Sequence, residues 1–258
     1  MISREELARV AREMGYTLYQ AEKDYLQHCF LASLYKVSAN EFVFKGGTSL
    51  QKAYGLDRYS EDLDFTCADA GKPLDGLLEK AVAETSKYAE TWLGKTQRTE
   101  DVSETARLKA RGPLYKKEKE HSVQTIVLEF SLREKAILPG RARKITPPYG
   151  DFKPYVALCM DLEEVLAEKV RCILTREKPR DVYDASFLFA KKAALNPGYI
   201  DRKLAYYGKK FDMEEFREAV MRKENGWQRE LGNLMKTPPG FRELAEGVIG
   251  NVEKAAGK

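Results

Sequence analysis

The period of the apolar positions changes several times along the chain, and each change marks an element. Ser3 followed by Glu6 has the spacing of a capping box and opens a helix predicted to run to about Gly15. A second helix is predicted from Leu18 to about Val37, with Tyr19, Leu26, Phe30 and Leu34 on its apolar side. His28 falls inside it and reads as a packing or surface residue. The segment Glu41-Phe-Val-Phe-Lys45 predicts a strand, followed by Gly46-Gly47 and a short helix from Thr48 to Tyr54. Asp62 to Thr66 predicts a strand, Leu74 to Ala89 a helix, Val123 to Arg133 a strong strand and Tyr155 to Met160 another. Between Gly94 and Glu120 the charges are too dense for either period to be read. From Leu162 onward the pattern is helical, with breaks near Pro179, Pro197, Phe211 and Pro238-Pro239.

These elements predict an α+β protein in two lobes. Residues 1–160 form a mixed lobe of sheet and flanking helices, and residues 161–258 a helical one. At 258 residues with 43% hydrophobic and 33% charged side chains, the chain can bury a real core. No apolar run approaches the roughly 20 residues of a membrane span. The charged N-terminus is not a secretory signal, so the expectation is a cytoplasmic protein with no membrane partner. Cys29, Cys67, Cys159 and Cys172 are scattered, which suits thiols of a reducing compartment. With only His28 and His121 present, any metal chemistry here has to use carboxylates. The net charge of +4 is mild, but positive charge concentrates at 107–111, 116–119, 133–144 and 171–180. A solvated surface is the ordinary reading of such runs, a binding patch the alternative.

Chemistry enters with Lys45-Gly46-Gly47-Thr48-Ser49. A strand that ends in two glycines and runs into a helix presents backbone N–H groups to an anion, and the helix N-terminus adds partial positive charge. Thr48 or Ser49 is placed to cap the helix or to hydrogen-bond a phosphate oxygen. Alone, the pattern reads first as a tight strand–helix turn with Thr48 as N-cap. Arg58-Tyr-Ser60-Glu-Asp62-Leu-Asp64-Phe65 follows within a dozen residues. On a strand, residues two apart share a face about 6.6 Å apart, so Asp62 and Asp64 face one side while Leu63 and Phe65 face the core. Two adjacent carboxylates repel unless a cation lies between them, and magnesium takes one or two carboxylates together with substrate phosphates.

Further candidates lie downstream. Glu129 is the one acid in the apolar stretch Thr125-Ile-Val-Leu-Glu129-Phe-Ser, and is either a third metal ligand or the cross-strand partner of a basic residue. Lys169 interrupts an apolar stripe of Leu162, Val165, Leu166, Cys172 and Ile173. It has to snorkel outward or reach a partner, either a phosphate or a nearby aspartate. If it reaches a partner, Lys169→Met should leave stability roughly unchanged and abolish activity. Asp181 and Asp184, three apart, share a helix face.

Together, K-G-G-T-S-L, R-x-S-x-D-x-D-F and E-K-x(10)-R-D-x-x-D resemble the motifs of the AbiEii/AbiGii toxin family, which includes the MenT toxins, within the polymerase-β nucleotidyltransferase superfamily. The resemblance spans residues 45–65 and 163–188. It implies a polymerase-β-like core whose helical lobe completes the active-site cleft, and an NTP held by Lys45, Gly46, Gly47, Thr48, Ser49 and Ser60. It implies magnesium, with manganese as an alternative, on Asp62 and Asp64; Glu129 stands where the superfamily commonly has Asp. Lys169 with Asp181 or Asp184 would supply the family's essential lysine and aspartate. The implied protein is the toxin of a toxin–antitoxin or phage-defence pair, moving NMP to the 3′ end of tRNA and partnered by a winged-helix antitoxin. The alternatives are transfer to a protein or a small molecule, a D-x-D glycosyltransferase, and an inactive nucleotide-binding module.

Overall fold

Ser3 and Gly15 bracket the first helix, α1 (Arg4–Met14). The Ser3 hydroxyl accepts from the Glu6 N–H, and Gly15 takes the left-handed conformation (φ 73°) that closes a helix with least strain when there is no Cβ. The other half of the expected capping box does not form: the Glu6 carboxylate accepts from the Gly150 N–H at 2.6 Å instead. A complete box occurs one helix later, where Thr17 and Gln20 cap α2 (Leu18–Val37). That helix is buried on nearly every side rather than along one stripe, and Tyr19, expected on the apolar side, is 52% exposed.

Burying α2 takes polar groups inside with it. Asp24 accepts from Lys52 at 2.7 Å and from the Tyr149 hydroxyl at 2.8 Å. Burial and the neighbouring Lys52 push the His28 imidazole down to about 3 against the pull of Asp24. His28 is therefore neutral, and Lys52 is the partner that keeps Asp24 ionised. The Nδ1 of His28 hydrogen-bonds Tyr155 at 3.0 Å, a packing role.

The computed structural model describes residues 1–38, 40–68, 74–99 and 102–257. They divide into two units, Met1–Ala136 with Gly140–Cys159, and Ile137–Pro139 with the chain from Met160 onward. In the first unit, β1 (Phe42–Lys45) leads into α3 (Gly46–Tyr54), followed by β2 (Leu63–Cys67) and α4 (Asp75–Thr85). Then come β3 (Glu90–Leu93), β4 (Gln97–Thr99), β5 (Ser103–Arg111), β6 (Gln124–Ser131), β7 (Arg141–Ile145) and β8 (Tyr155–Cys159). The strands form one mixed sheet in the order β3-β5-β6-β2-β1-β8-β7, with β4 paired to β5. Phe42, Phe44, Phe65 and Phe130 meet on its inner face, Phe65 stacked on Phe130 with centroids 5.1 Å apart.

The second unit is helical: α5 (Leu162–Thr175), α6 (Arg180–Ala190), α7 (Pro197–Ala205), α8 (Met213–Arg222), α9 (Trp227–Gly232) and α10 (Phe241–Ala256). Each predicted break falls just before or at the start of a helix. Pro197 is the first residue of α7, where its missing N–H costs nothing. Fully buried Lys203 donates to Glu164 at 2.7 Å and to Glu168 at 2.9 Å, so the unit carries an ion cluster in its core. Among the described residues, no helix is long and apolar enough to cross a membrane.

Candidate active site

The two glycines exist for what lies against them. Gly46 has φ 73°, and a Cβ there would collide with the Asp64 carboxylate. A Cβ on Gly47 would stand 2.5 Å from the Arg58 guanidinium and 2.9 Å from the Ser60 hydroxyl. The turn thus brings the start of α3 directly against the segment that carries Arg58, Ser60 and Asp64. Contrary to expectation, neither Thr48 nor Ser49 caps α3; its N-cap is Lys45 and no side chain caps it. The Thr48 hydroxyl instead hydrogen-bonds the Asp62 carbonyl at 2.5 Å and the Ser60 hydroxyl at 2.8 Å. Thr48 and Ser49 are both fully buried. The nine-residue α3 therefore begins with N–H groups that no side chain caps, behind two residues without side chains, an arrangement suited to phosphate oxygens.

On β2, Leu63 and Phe65 are fully buried while Asp64 between them is half-buried; Asp62, also half-buried, lies one residue before the strand, which begins later than the sequence predicts. Asp64 pairs with Lys45 on β1 and with Glu129 on β6, so these three side chains form a row on one face of the sheet. Glu129 is exposed. Among the described residues, no three His, Cys, Asp or Glu side chains converge closely enough to hold a metal. Two half-buried carboxylates two residues apart, beside a turn that accepts anions, nonetheless fit magnesium, which needs only one or two carboxylates when phosphates supply the rest. Buried Lys45 has its ammonium 3.6 Å from Glu134, so its charge is already shared.

Two residues to which the sequence assigned no role hold this segment in place. Buried Arg58 donates to the Tyr59 carbonyl at 3.0 Å and packs beneath Gly47. Gln27, fully buried on α2, donates to the carbonyls of Ser60 (3.1 Å) and Glu61 (2.8 Å), pinning the chain that leads into Asp62. Arg58 was visible in the R-x-S-x-D spacing. Gln27 left no local signal, because its partners lie 33 and 34 residues away.

In the helical unit Lys169 does not snorkel. Its ammonium lies buried, 2.6 Å from Asp184 and 3.0 Å from Asp181, and Arg176 holds Asp181 from the other side at 2.7 Å. Burial alone would raise the Asp181 carboxyl, but the charges of Lys169 and Arg176 hold it well below the usual carboxylate range. Burial likewise pulls Lys169 down, and Asp184 and Asp181 outweigh it, leaving the ammonium above the ordinary lysine value. The aspartates expected to share a helix face do so, and both turn onto the one lysine.

Comparison with known proteins gives one family. The model of the nucleotidyl transferase AbiEii toxin, type IV toxin–antitoxin system, matches residues 30–247. Two solved structures share the fold at 20% identity. MenT4, a nucleotidyltransferase toxin from Mycobacterium tuberculosis H37Rv, superposes with a TM-score of 0.65 over 99% of this chain and 88% of its own. JHP933 from Helicobacter pylori does so with a TM-score of 0.56 over 92% of this chain and 91% of its own. No curated protein matches the chain.

Proposed function

Because this chain belongs to the AbiEii family of nucleotidyl transferase toxins, we propose that it transfers a nucleoside monophosphate from an NTP to the 3′-terminal hydroxyl of tRNA. The family makes it a nucleotidyltransferase of a type IV toxin–antitoxin system, with an NTP substrate and an antitoxin partner. In the reaction, the acceptor oxygen attacks the α-phosphorus, the bond to the β-phosphate breaks, pyrophosphate leaves and the hydroxyl proton passes to solvent.

The observation that carries this reading is the packing of the Asp64 carboxylate against Gly46, at the start of α3. The backbone of Gly46 and Gly47 and the α3 N-terminus receive the triphosphate, with Lys45, Thr48, Ser49 and Ser60 framing them. Asp62 and Asp64 would hold magnesium, or manganese in its place, with Glu129, exposed on the neighbouring strand, as the further candidate ligand. When bound, the metal neutralises phosphate charge and lowers the pKa of the attacking hydroxyl. Lys169 is assigned as the family's essential lysine, held within the helical unit by two carboxylates. Asp181 and Asp184 are positioning residues for it, since both carboxylates turn onto its ammonium, and Asp181, held firmly ionised, is a poor proton acceptor. We place the protein in the cytoplasm, restrained by a winged-helix antitoxin, in a phage-defence role.

The test is to incubate the protein with magnesium, total tRNA and each labelled NTP in turn. Label should enter tRNA from one preferred NTP and vanish when the 3′ end has been oxidised beforehand. Label in protein, or label that survives 3′ oxidation, overturns the acceptor assignment. No incorporation from any NTP overturns the transfer itself.

A further inference from the structure

The sheet face that carries Asp64 and Glu129 continues onto β5 and β3 as a strip of basic and aromatic side chains that the reaction above leaves unused. Strand register fixes which residues belong to it. Glu129 pairs with Thr105, Val127 with Arg107 and Thr125 with Lys109. Trp92 pairs with Lys109, and Glu90 with Arg111. Directly opposed residues share a face, as do residues two apart on one strand. Arg107, Lys109, Arg111 and Trp92 therefore lie on the face of Asp64 and Glu129, opposite fully buried Ala106, Leu108 and Ala110. Because β6 runs parallel to β2 and β5 antiparallel to both, the strip leaves the row at the end of β2 where Asp62 stands. With a side-chain repeat of about 6.8 Å, Arg107, Lys109 and Arg111 stand roughly 7, 14 and 20 Å along β5 from the Glu129 row.

The side chains are suited to one kind of ligand. The Arg111 guanidinium lies 5.4 Å from the Trp92 ring centre and 4.9 Å from that of Tyr115, with Glu90 anchoring it at 2.6 Å. Two partly exposed rings are thus held by one cation. Among the described residues, Arg107 and Lys109 have no acidic partner, so their charges are available. Cations at a regular step beside fixed aromatic faces are how proteins bind single-stranded nucleic acid, the cations meeting phosphates and the rings stacking unpaired bases. A duplex offers no free base faces, and an acidic protein surface would not need the rings.

We propose that Trp92, Arg107, Lys109, Arg111 and Tyr115 form the track for the unpaired 3′-terminal nucleotides of the acceptor RNA, leading the end of the strand toward Asp62 and Asp64. The proposal rests on the RNA-acceptor reading above and adds the surface that reads the strand.

The chain has two tryptophans, and Trp227 is 1% exposed, so both emit but contact quenching by an added ligand reports on Trp92. A short unpaired RNA oligonucleotide added to the intact protein should quench tryptophan emission, and a duplex of equal length should not. Trp92→Phe should keep the affinity and lose the quench, while Trp92→Ala should weaken binding about tenfold to a hundredfold. The double variant Arg107→Glu/Lys109→Glu should flatten the slope of log affinity against log salt by about 1.4, the share of two phosphates on a single strand. In the transfer assay it should raise KM for tRNA and leave kcat and KM for NTP unchanged. If the double variant binds oligonucleotide and uses tRNA like the wild type, the strip is wrong and the RNA-acceptor reading stands. If it keeps its RNA affinity and loses the co-expressed antitoxin, the strip is a protein interface. Transfer of label to protein alone by the wild type overturns both.

Discussion

Lys169 sits between two fully buried aspartates, and removing any one of the three leaves buried charge behind. Met fits the apolar stripe of α5, yet Lys169→Met should cost about 3–5 kcal/mol, because Asp184 and Asp181 would keep their charge without their main partner. This reverses the expectation from sequence that stability would hold, and a thermal or urea melt beside a turnover assay checks it. The half-buried aspartates at the start of β2, Asp62 just before it and Asp64 within it, should behave oppositely. Asp62→Asn and Asp64→Asn remove charge from a partly solvated face, so the melting temperature should hold while transfer falls about 10²–10³-fold. Near-wild-type transfer by both variants would remove them from the site.

Among the elements, the β1–α3 turn sets the geometry, and its glycines separate strain from function. Gly46 and Gly55 bracket α3 with φ of 73° and 78°, and a Cβ at Gly55 would meet nothing within 4 Å. Both Gly→Ala variants should therefore lose about 1–2 kcal/mol to the left-handed backbone. Gly46→Ala should also lose transfer activity, because its methyl group displaces the Asp64 carboxylate. Equal activity in the two variants, measured at a temperature where both are folded, would show that the turn does not serve the reaction. The helices and apolar strands were legible from period alone, whereas β3, β4, β5 and β7 were not. In β5 the inward positions include Glu104, Ala106 and Ala110, too small or too polar to register as a hydrophobic alternation, and the outward ones are mostly charged. In β7 four of the five residues are exposed, so its pairing with β8 shows in backbone hydrogen bonds alone.

For the whole molecule, buried ion clusters should set the range of pH over which the protein stays folded. The folded-state pKa of Asp181 lies below its unfolded value, so its contribution is present above about pH 4 and is lost as pH falls through the folded pKa. Lys169 lies above its ordinary value, so its contribution is complete below about pH 10 and is lost as pH rises through the folded pKa. Stability against urea should therefore form a plateau bounded by an acid and an alkaline fall, and Asp181→Asn should shrink the acid fall. An acid limb unchanged in that variant would mean that other carboxylates, such as depressed Asp24, dominate it.

By itself the sequence determined the helices, the inner strands of the sheet and the family, because each is written in local spacing: period two, period three to four, or a motif of fixed length. Only the tertiary structure decided where the polar groups inside the protein end. Whether Lys169 reached a phosphate, solvent or an aspartate depended on how α5 packs against α6. Whether Thr48 capped its helix depended on the approach of Ser60 and Asp62 from a later segment. Gln27 and Glu6 likewise take partners that the chain brings back from tens of residues away. A hydrogen bond or ion pair in the interior depends on distance in space, and local spacing in sequence does not encode it.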